Sequence, residues 1–563
     1  MTVLIPLLAR PIVALVTAVL TTAAAPAAAQ GSQSRLPAAV TEALQRAQVP
    51  VDALAGVVLP LTRFGPRWQY QADRPMQPGS TIKLVTSIVA LDRLGPNHRG
   101  FTELLTSAPQ QGDVLAGDLV LRGGADPELG LPQLWAMLAE LRHTHGIREI
   151  AGDIVVDRTL FRPQRQELGV PPFDEQPEFP YNVVPDALQL AGSLMRLEIS
   201  SEDPSQPSGT VNGTSVGTLT ARALPPLPGL VIDASGMRLT DRPCKDWDED
   251  WITPPLVDEP EPGTLRVRLQ GGFPKGCTQR PSLQLIDRQA LVERQLRWLW
   301  ASLGGRWTGR AREATAPLIT PLPAAVVAAS VAATQPPLLP GAAVVTPGVA
   351  RAGHPAATPT DVRVLAIHVA RPWGEVLRTL NKQSDNAFTR LLYLSLGLGP
   401  MADEPGATTA ALAEREVRRW LAERDIGSAG MVLDNGSGMS RTERLTPRQL
   451  ALMLKAAQQG RWAPELMMSL PIAGVDGTMR NRLKTSPAAG LARLKTGTLR
   501  NVTAVAGYVP DPQGRLWAVA AMVNDDKAAA ARPALDALVD WVARGGMTLR
   551  GNTGQAIVGG GPR

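Results

Sequence analysis

A serine and a lysine three residues apart, Ser80 and Lys83, are the residues of this sequence best suited to nucleophilic chemistry. On a helix, residues i and i+3 lie on the same face, so the hydroxyl and the amine would be neighbours. Pro78-Gly79 interrupts the chain before them, and serine is a favoured first residue of a helix. A serine beside an amine is one arrangement that activates a hydroxyl without a histidine. Taken alone, the pattern more often marks a capping serine and a surface lysine.

Two further motifs complement this pair. Ser384-Asp385-Asn386 lies at the start of a helical run, and Lys495-Thr496-Gly497-Thr498 lies at the end of a strand-like run. The trio S-x-x-K, S-D-N and K-T-G is typical of class A β-lactamases and penicillin-binding proteins. The sequence holds no second copy of any of the three motifs. Their joint occurrence in this order therefore indicates a serine acyltransferase site.

Acyl transfer gives each residue of this set a role. Ser80 would attack a carbonyl carbon and form an acyl-enzyme. Lys83 can accept the serine proton if it is neutral, and both burial and a nearby Lys495 would lower its pKa. The Ser384 hydroxyl can pass a proton to the leaving amine. Asn386 can orient Lys83 and bind a substrate amide, because it carries both a donor and an acceptor.

The Lys495 motif is expected to bind substrate. Lys495 would attract a terminal carboxylate, and Thr496 or Thr498 would add hydroxyl contacts. Gly497 would let the substrate backbone approach the strand closely. The backbone N–H groups of Ser80 and Thr498 would form the oxyanion hole.

The elements that must position these residues come from both ends of the chain. Strands are predicted at 55–59 and 67–70, and three more at 492–495, 503–509 and 516–523. Helices are predicted at 80–94, 372–380, 384–396, 408–424 and 446–459, with a closing helix after Pro533. This order predicts an α+β fold with one sheet built from both ends of the chain. The resemblance of the motif trio to serine β-lactamases and DD-peptidases implies that this sheet is antiparallel and flanked by helices.

The domain organisation follows from changes in composition. Residues 1–29 carry a positive charge, an apolar run and small-residue cleavage sites, which is typical of a secretion signal. The peptidase-like domain is predicted at 30–97 and 361–550. Short strands separated by Gly/Pro turns predict mostly β accessory domains at 98–312. The Ala/Pro-rich stretch 315–360 is interpreted as a flexible insertion, with an apolar docking segment as the alternative.

Charge and cysteine content exclude some classes of function. The 563 residues carry a net charge of +6 without a Lys/Arg-rich run, so no nucleic-acid partner is predicted. Cys244 and Cys277 would form one disulfide in an exported chain, or remain two free thiols. Two cysteines do not make a metal site, and no cofactor is expected.

Beyond the trio, the sequence resembles the D-alanyl-D-alanine carboxypeptidase/endopeptidase family, the class C low-molecular-mass penicillin-binding proteins. Four segments carry the resemblance: the nucleophile segment 78–86, the Gly-Gly-x-Asp-Pro turn at 123–127, the Asp-Asn-Gly-Ser-Gly loop at 434–440, and 473–479 ahead of Lys-Thr-Gly-Thr. The separation of 301 positions between Lys83 and Ser384 fits a family with large inserted domains. The resemblance implies an enzyme that cleaves D-Ala-D-Ala and D-Ala–diaminopimelate bonds of peptidoglycan stem peptides and is acylated by penicillins. The signal-like segment 1–29 predicts that it is exported to the periplasm.

The resemblance also implies substrate-cleft residues in the inserted domain. The segment 156–161 resembles the one that supplies them, so Asp157 and Phe161 are carried over. The alternative is a strand-ending aspartate and a core phenylalanine. The chain departs from the family's pattern in the 315–360 insertion and at Ala187–Ala191, which lacks an asparagine that the family often carries.

Rival motifs are weaker. Gly213-Thr214-Ser215-Val216-Gly217 matches a nucleophile elbow, but no helix follows it, so a hairpin turn is the interpretation. His143 and His145 have no third ligand nearby, so no metal site is predicted. Three functions remain open at this point: a serine DD-peptidase, a β-lactamase or esterase on the same core, and a non-catalytic cell-wall protein that binds penicillin.

Overall fold

The computed structural model describes residues 34–62, 65, 67–202, 219–317, 362–399 and 404–547. The predicted signal (1–29), nearly all of the 315–360 stretch and the Gly213–Gly217 motif lie outside these residues. Within the described part of the chain, no helix is long and apolar enough to cross a bilayer.

Ten α-helices and 21 strands form over the described ranges. The helices are α1 Ala38–Arg46, α2 Lys83–Arg93, α3 Leu131–His143, α4 Arg288–Ser302, α5 Trp373–Gln383, α6 Asn386–Leu396, α7 Thr409–Ala422, α8 Pro447–Gln459, α9 Ala463–Ser469 and α10 Arg532–Ala543. The strands are β1 Leu54–Pro60, β2 Trp68–Tyr70, β3 Phe101–Thr106, β4 Gln110–Gln111, β5 Val114–Leu115, β6 Leu119–Gly124, β7 Glu149–Ile150, β8 Ile154–Asp157, β9 Met195–Ser201, β10 Leu219–Leu224, β11 Leu230–Thr240, β12 Trp251–Glu261, β13 Thr264–Pro274, β14 Thr278–Gln279, β15 Ser282–Leu283, β16 Arg306–Trp307, β17 Ala311–Glu313, β18 Arg363–Val369, β19 Arg493–Leu499, β20 Val502–Pro510 and β21 Leu516–Asn524.

The main sheet joins the two ends of the chain, as the sequence predicts. Its order is β19-β20-β21-β1-β2, and every neighbouring pair is antiparallel. Because side chains alternate between the faces of a strand, Val57 and Val58 enter different cores. Helices α1 and α10 cover one face, and α2 with the 373–459 helices covers the other. The expected helix-flanked antiparallel sheet is confirmed.

Helix α2 lies in the middle of the larger core. Every residue from Lys83 to Leu91 is buried, among them Leu84, Val85 and Ile88. A helix that is apolar nearly all round is a core helix. The amine of Lys83 is thereby removed from water.

The inserted region forms two layers of mixed structure. One holds the sheet β17-β8-β6-β3-β18 and packs against α3 and α4. The other holds the β9 and β13 sheets, and a disulfide joins Cys244 to Cys277 with 5.4 Å between the Cα atoms. Strand β18 lies within 361–550, which the sequence predicts to be peptidase-like, yet it pairs antiparallel with β3 of the inserted sheet. Its pairing partner lies about 260 residues earlier, so local periodicity could not reveal it.

Candidate active site

The nucleophile segment begins with a tight turn. Gly79–Ile82 form a 3₁₀ turn that leads directly into α2, in place of the predicted α-helix starting at Ser80. Gly79 has φ +50°, a conformation that glycine adopts without strain. The Thr81 hydroxyl donates to the Pro78 oxygen at 2.7 Å and holds the turn. The predicted neighbours still meet, since 3.0 Å separates Lys83 Nζ from Ser80 Oγ.

Lys83 is surrounded by three oxygen atoms, two of which come from distant parts of the chain. Besides Ser80 Oγ, its amine donates to Asn386 Oδ1 at 2.6 Å and to the backbone oxygen of Ser437. The last two are carbonyl oxygens, which can only accept hydrogen bonds. A neutral amine therefore directs its two N–H groups at them. Its lone pair then faces the Ser80 hydroxyl, which is the geometry a general base needs.

The surroundings of Lys83 favour this neutral form. Its side chain is fully buried, and burial lowers its pKa well below the usual value. The positive charges of Lys495 and Arg390 lower the pKa further, while Glu443 and Asp385 act in the opposite direction. Lys83 is thus a buried amine with a lowered pKa, and the surface lysine that the motif alone more often marks is excluded.

The junction between α5 and α6 supplies the second motif. Ser384 lies between the two helices with φ 61° and ψ 40°, and is not inside a helix as predicted. Asp385 caps α6, because its carboxylate accepts the backbone N–H of Phe388 at 2.8 Å. Asn386 is the first residue of α6, and its Nδ2 donates to the Tyr181 backbone oxygen at 2.9 Å. This contact turns the amide oxygen toward Lys83.

Strand β19 supplies the third motif. Lys495 is fully buried and donates to Ser384 Oγ at 2.8 Å and to the Thr496 backbone oxygen at 2.9 Å. Burial lowers the pKa of Lys495 to about 7. The Thr496 hydroxyl donates to Thr478 Oγ1 at 2.8 Å. Ser384 lines the cleft and Lys495 does not. Lys495 therefore lies next to the cleft, separated from it by the Ser384 hydroxyl that it contacts.

Gly497 is where β19 and the nucleophile turn pack backbone to backbone. A Cβ at this position would lie 2.5 Å from the Pro78 oxygen and 3.0 Å from the Ser80 nitrogen. Any side chain would push the strand away from the nucleophile. The close approach keeps Thr498 beside the turn, since a Cβ on Gly79 would lie 3.3 Å from the Thr498 nitrogen. The two amides expected to form an oxyanion hole are thus on adjoining backbones.

The 434–443 loop completes the wall around Lys83. Glu443 is fully buried, and its carboxylate accepts the backbone N–H groups of Gly436 at 2.8 Å and Gly438 at 3.0 Å. The Thr86 hydroxyl of α2 donates to the Gly436 oxygen at 2.9 Å. These bonds hold the Ser437 carbonyl against the Lys83 amine. The sequence identifies residues 434–440 as one of the segments that resemble the family, and it does not single out Glu443.

A cleft of about 430 Å³ opens above Ser80. Ser384, Asn386 and Thr498 line it with Ser80. The structure also places residues there that the sequence did not single out: Gln77, Phe173, Asp174, Glu175, Tyr181, Met439, Arg441, Leu499, Arg500 and Asn501. Four of these come from the inserted segment 162–186, which reaches over the peptidase core. The signal for it was an acidic and aromatic run between prolines, at 171–181.

Asp157 and Phe161 lie elsewhere. Asp157 is buried at the end of β8, where its carboxylate accepts the backbone N–H of Thr159 at 2.9 Å. Phe161 is 1% exposed and packs in the larger core. Neither side chain is among the described residues that line the cleft. Their predicted contact with substrate has no support from this arrangement, and both match the structural alternative.

Of the two histidines His143 and His145, the second has a hydrogen-bond partner on the protein backbone. His145 Nε2 lies 2.8 Å from the Leu365 backbone oxygen. Over the described ranges, no group of three or more His, Cys, Asp or Glu side chains is arranged to hold a metal ion.

The family model for D-Ala-D-Ala carboxypeptidase 3 (S13) matches residues 36–230 and 345–545, which is well over half of the chain. The chain belongs to the D-Ala-D-Ala carboxypeptidase 3 (S13) family. The predicted relationship to class C penicillin-binding proteins is thereby confirmed, and with it the class of serine-type D-Ala-D-Ala carboxypeptidases.

Relatives match over most of their length. The chain is 28% identical over 480 residues to D-alanyl-D-alanine carboxypeptidase of Actinomadura sp. (strain R39), covering 82% of this chain and 76% of the relative. It is 23% identical over 471 residues to D-alanyl-D-alanine carboxypeptidase DacB of Haemophilus influenzae, covering 81% and 82%.

Solved structures share the fold. The crystal structure of penicillin binding protein 4 (dacB) from Haemophilus influenzae has a TM-score of 0.67 and 21% identity, covering 90% of this chain and 99% of that one. The same protein complexed with a β-lactam gives a TM-score of 0.61, also with 21% identity, covering 86% and 92%. The S13 fold, with its inserted domains, is therefore that of this chain.

Proposed function

We propose that this S13 enzyme hydrolyses the D-Ala-D-Ala bond of peptidoglycan stem peptides, and D-Ala–diaminopimelate cross-links, through an acyl-enzyme on Ser80. The contact that carries this proposal is the 3.0 Å pairing of Lys83 Nζ with Ser80 Oγ, at an amine whose pKa burial has lowered. An alcohol needs such a base to attack an amide carbonyl.

In acylation, Ser80 Oγ bonds to the carbonyl carbon of the penultimate D-Ala while its proton moves to Lys83 Nζ. The carbonyl oxygen becomes an oxyanion, which the N–H groups of Ser80 and Thr498 stabilise. The C–N bond then breaks, and the leaving amine takes the proton of Lys83 through the Ser384 hydroxyl, which returns Lys83 to its neutral form. Lys495 behind Ser384 attracts the terminal carboxylate, with Thr496 and Thr498 adding hydroxyl contacts.

In deacylation, water adds to the ester carbonyl and gives its proton to a neutral Lys83. The ester C–O bond breaks, and Ser80 Oγ regains a proton. Asn386 keeps Lys83 oriented in both halves, because its amide is fixed between the lysine amine and the Tyr181 carbonyl. A penicillin would acylate Ser80 by the same attack, with its ring amide in place of the peptide bond.

Labelling with a fluorescent penicillin tests the nucleophile. The purified protein is expected to be marked covalently and to release D-Ala from a stem pentapeptide, while Ser80→Ala abolishes both. The matched control is Ser87→Ala. Ser87 is a buried serine on α2 that contacts Asn381, and it neither lines the cleft nor contacts Lys83. Covalent marking that persists in Ser80→Ala would remove Ser80 as the nucleophile.

The remaining functions predict other results with the same reagents. A β-lactamase would hydrolyse penicillin rapidly and leave no lasting label. A non-catalytic binding protein would retain the label and release no D-Ala. A digest of peptidoglycan distinguishes the two peptidase activities. Release of free D-Ala reports carboxypeptidase activity, and loss of cross-links reports endopeptidase activity.

We further propose that the enzyme is exported and acts outside the cytoplasm. The secretion-type signal predicted at 1–29 and the Cys244–Cys277 disulfide support this, because disulfides persist in oxidising compartments. N-terminal sequencing of protein recovered from the periplasm is expected to begin near Gln30; a mature protein that begins at Met1 would contradict export by cleavage.

A further inference from the structure

The segment that reaches over the cleft from the inserted region has little regular structure of its own. We call residues 171–183, all of which the structure describes, the cleft strap. Apart from a 3₁₀ turn at Pro180–Asn182, no helix or strand forms within these described residues. Four of the thirteen are prolines, which have no N–H to donate to a neighbouring strand. The position of the strap therefore depends on the elements that contact it.

Contacts within the strap join its two ends into a closed loop. The Asn182 amide donates to Asp174 Oδ1 and to the Gln176 backbone oxygen, both at 2.8 Å. The rings of Phe179 and Tyr181 stack with 6.1 Å between their centres. Because the strap is tied to itself in this way, a displacement of Phe179 also displaces Tyr181, which lines the cleft.

The middle of the strap is contacted by the inserted layer that contains the disulfide. We call this layer, residues 195–285 as far as the structure describes them, the disulfide layer. The Thr253 hydroxyl donates to the backbone oxygen of Glu175 at 2.8 Å. The backbone N–H of Gln284 donates to the backbone oxygen of Glu178 at 2.8 Å. Two backbone oxygens of the strap are thus fixed by donors of the disulfide layer.

Trp247 adds a side-chain contact to the same part of the strap. Its ring centre lies 6.3 Å from that of Phe179, with 38° between the ring planes. Trp247 also packs edge-on against Trp251 at 5.4 Å and against Phe273 at 6.4 Å. Tilted and edge-to-face ring pairs at such separations attract each other. Trp247 therefore connects the strap to the buried core of the disulfide layer.

The disulfide fixes the loop that carries Trp247. This loop joins β11 to β12, and Cys244 lies three residues before Trp247. The bond to Cys277 ties the loop to the connection between β13 and β14, and the Gln279 amide donates to the Cys244 backbone oxygen at 2.9 Å. A crosslink reduces the number of conformations open to the chain that it closes. Trp247 is thereby kept in the place where it meets the strap.

We propose that the disulfide layer positions the cleft strap, with Trp247 as the positioning residue that keeps Phe179, and through it Tyr181, at the wall of the cleft. Without this contact the strap occupies its binding position in only a fraction of the molecules, and the apparent affinity for a substrate that touches the strap falls by that fraction. The proposal rests on the proposed function, since it assumes that peptides are acylated at Ser80 in this cleft.

Trp247→Ala removes the contact with Phe179. KM for a stem pentapeptide is expected to rise about 5-fold, within the range of one aromatic pair, while kcat and the rate of acylation by benzylpenicillin stay within about 2-fold. The penicillin is small and reacts with groups of the peptidase core. Trp247→Phe keeps a ring at this position and is expected to restore KM to within about 2-fold of the wild type. An unchanged KM in Trp247→Ala would overturn the proposal.

A tryptophan of the other inserted layer provides the matched control. The indole N–H of Trp307 donates to the Gly152 backbone oxygen at 3.2 Å, away from the strap. Trp307→Ala is expected to leave KM within about 2-fold of the wild type, because contacts that share no partner act independently. A KM that rises as much as in Trp247→Ala would attribute the effect to general loosening of the inserted region and would overturn the proposal.

Reduction tests the disulfide without replacing a residue in the strap contact. Cys244 and Cys277 are the two cysteines of the chain, so dithiothreitol converts this one bond into two thiols and is itself oxidised. A Cys244→Ala, Cys277→Ala chain gives the same test without the reagent. Either is expected to raise KM as Trp247→Ala does, and to add less than about 2-fold in the Trp247→Ala protein, because both changes act through one contact. Effects that multiply in full would overturn the link between the disulfide and Trp247.

Hydrogen exchange measured by mass spectrometry reports the strap directly, without any chemistry at Ser80. Amide exchange in 173–183 is expected to be about 5-fold faster after reduction, while exchange in α2 stays the same. Unchanged exchange in the strap would overturn the proposal even in an active enzyme. Failure of the proposed function would appear differently, as no D-Ala release and no penicillin labelling in the unreduced wild-type protein.

Discussion

The two sides of the cleft each bury a lysine against a serine hydroxyl, yet they surround the two amines with different charges. Lys83 lies 3.0 Å from Ser80 Oγ, and Lys495 lies 2.8 Å from Ser384 Oγ. Burial lowers both pKa values, and that of Lys495 to about 7. Besides burial, the charge of Lys495 lowers the pKa of Lys83, that of Glu443 raises it, that of Arg390 lowers it and that of Asp385 raises it, whereas burial alone lowers the pKa of Lys495. Two buried amines of the same residue type therefore lie in different electrostatic surroundings, which suits the two different roles proposed for them.

Replacing Lys83 should have the largest effect of any change on either side. Lys83→Met keeps the length of the side chain and removes the base, so the acylation rate should fall about 10³-fold, within the range for lost general-base catalysis. Lys83→Arg should not restore it, because arginine stays protonated. Stopped-flow labelling with penicillin measures the rate.

Lys495→Met is the control on the opposite side of the cleft, since it removes an equally buried amine. It should slow penicillin acylation less than Lys83→Met does. The reverse order would show that the two lysines have been assigned the wrong roles.

The pH profile should separate the lysines next. Protonating Lys83 removes the base, so kcat/KM should fall toward acid pH for every substrate. Above pH about 7, the free enzyme loses the charge on Lys495, so kcat/KM should fall again for peptides with a terminal carboxylate. An otherwise identical peptide with an amidated terminus should lack this alkaline limb, because it has no carboxylate for Lys495 to attract.

Lys495→Arg sharpens the same test. Its guanidinium keeps its charge across the range, so the alkaline limb should disappear for the carboxylate peptide as well. An alkaline limb that is the same for both peptides in the wild-type protein would contradict the assignment of Lys495 to the substrate carboxylate.

The smallest effect on activity is expected at Thr478, which contacts Thr496, the residue after Lys495. Thr478→Val removes the oxygen that accepts the Thr496 hydroxyl at 2.8 Å and keeps the shape of the side chain. One neutral hydrogen bond corresponds to roughly a 3- to 10-fold change. The change should appear in KM for carboxylate-terminated peptides, and penicillin labelling of Ser80 should stay nearly constant. A loss as large as that of Lys83→Met would mean that Thr478 holds the fold rather than the substrate side.

The sequence predicted the parts of this site that depend on short motifs and on local periodicity. Ser80 and Lys83 were within three residues, and the flanking strands and helices were found to within a few positions. Ser384 was predicted inside a helix but lies in a left-handed junction, because a motif identifies a residue type and not its backbone conformation.

The inserted segment could not be predicted, because bonds to remote residues position it. The backbone oxygen of Tyr181 accepts a hydrogen bond from Asn386, and that of Val183 accepts one from Arg390. Each donor lies more than 200 residues away from its acceptor in the sequence. Asp157 and Phe161 were chosen by likeness to a family segment, whereas the chain enters the cleft about 15 residues later. The role of Glu443 could not be predicted for a similar reason. In the sequence it is one glutamate in a polar loop, and nothing local shows that its carboxylate is buried.

The pairing of β1 with β21 has a consequence for the timing of biosynthesis. Ribosomes add roughly 5–20 residues per second, so Ser80 is made on the order of tens of seconds before Lys495. Until the last strands emerge, β1 lacks its neighbour and no Gly497 packs against the nucleophile turn. The nascent chain therefore carries Ser80 and Lys83 before the strand that packs against them exists, and the cleft is complete only when β19–β21 have joined β1.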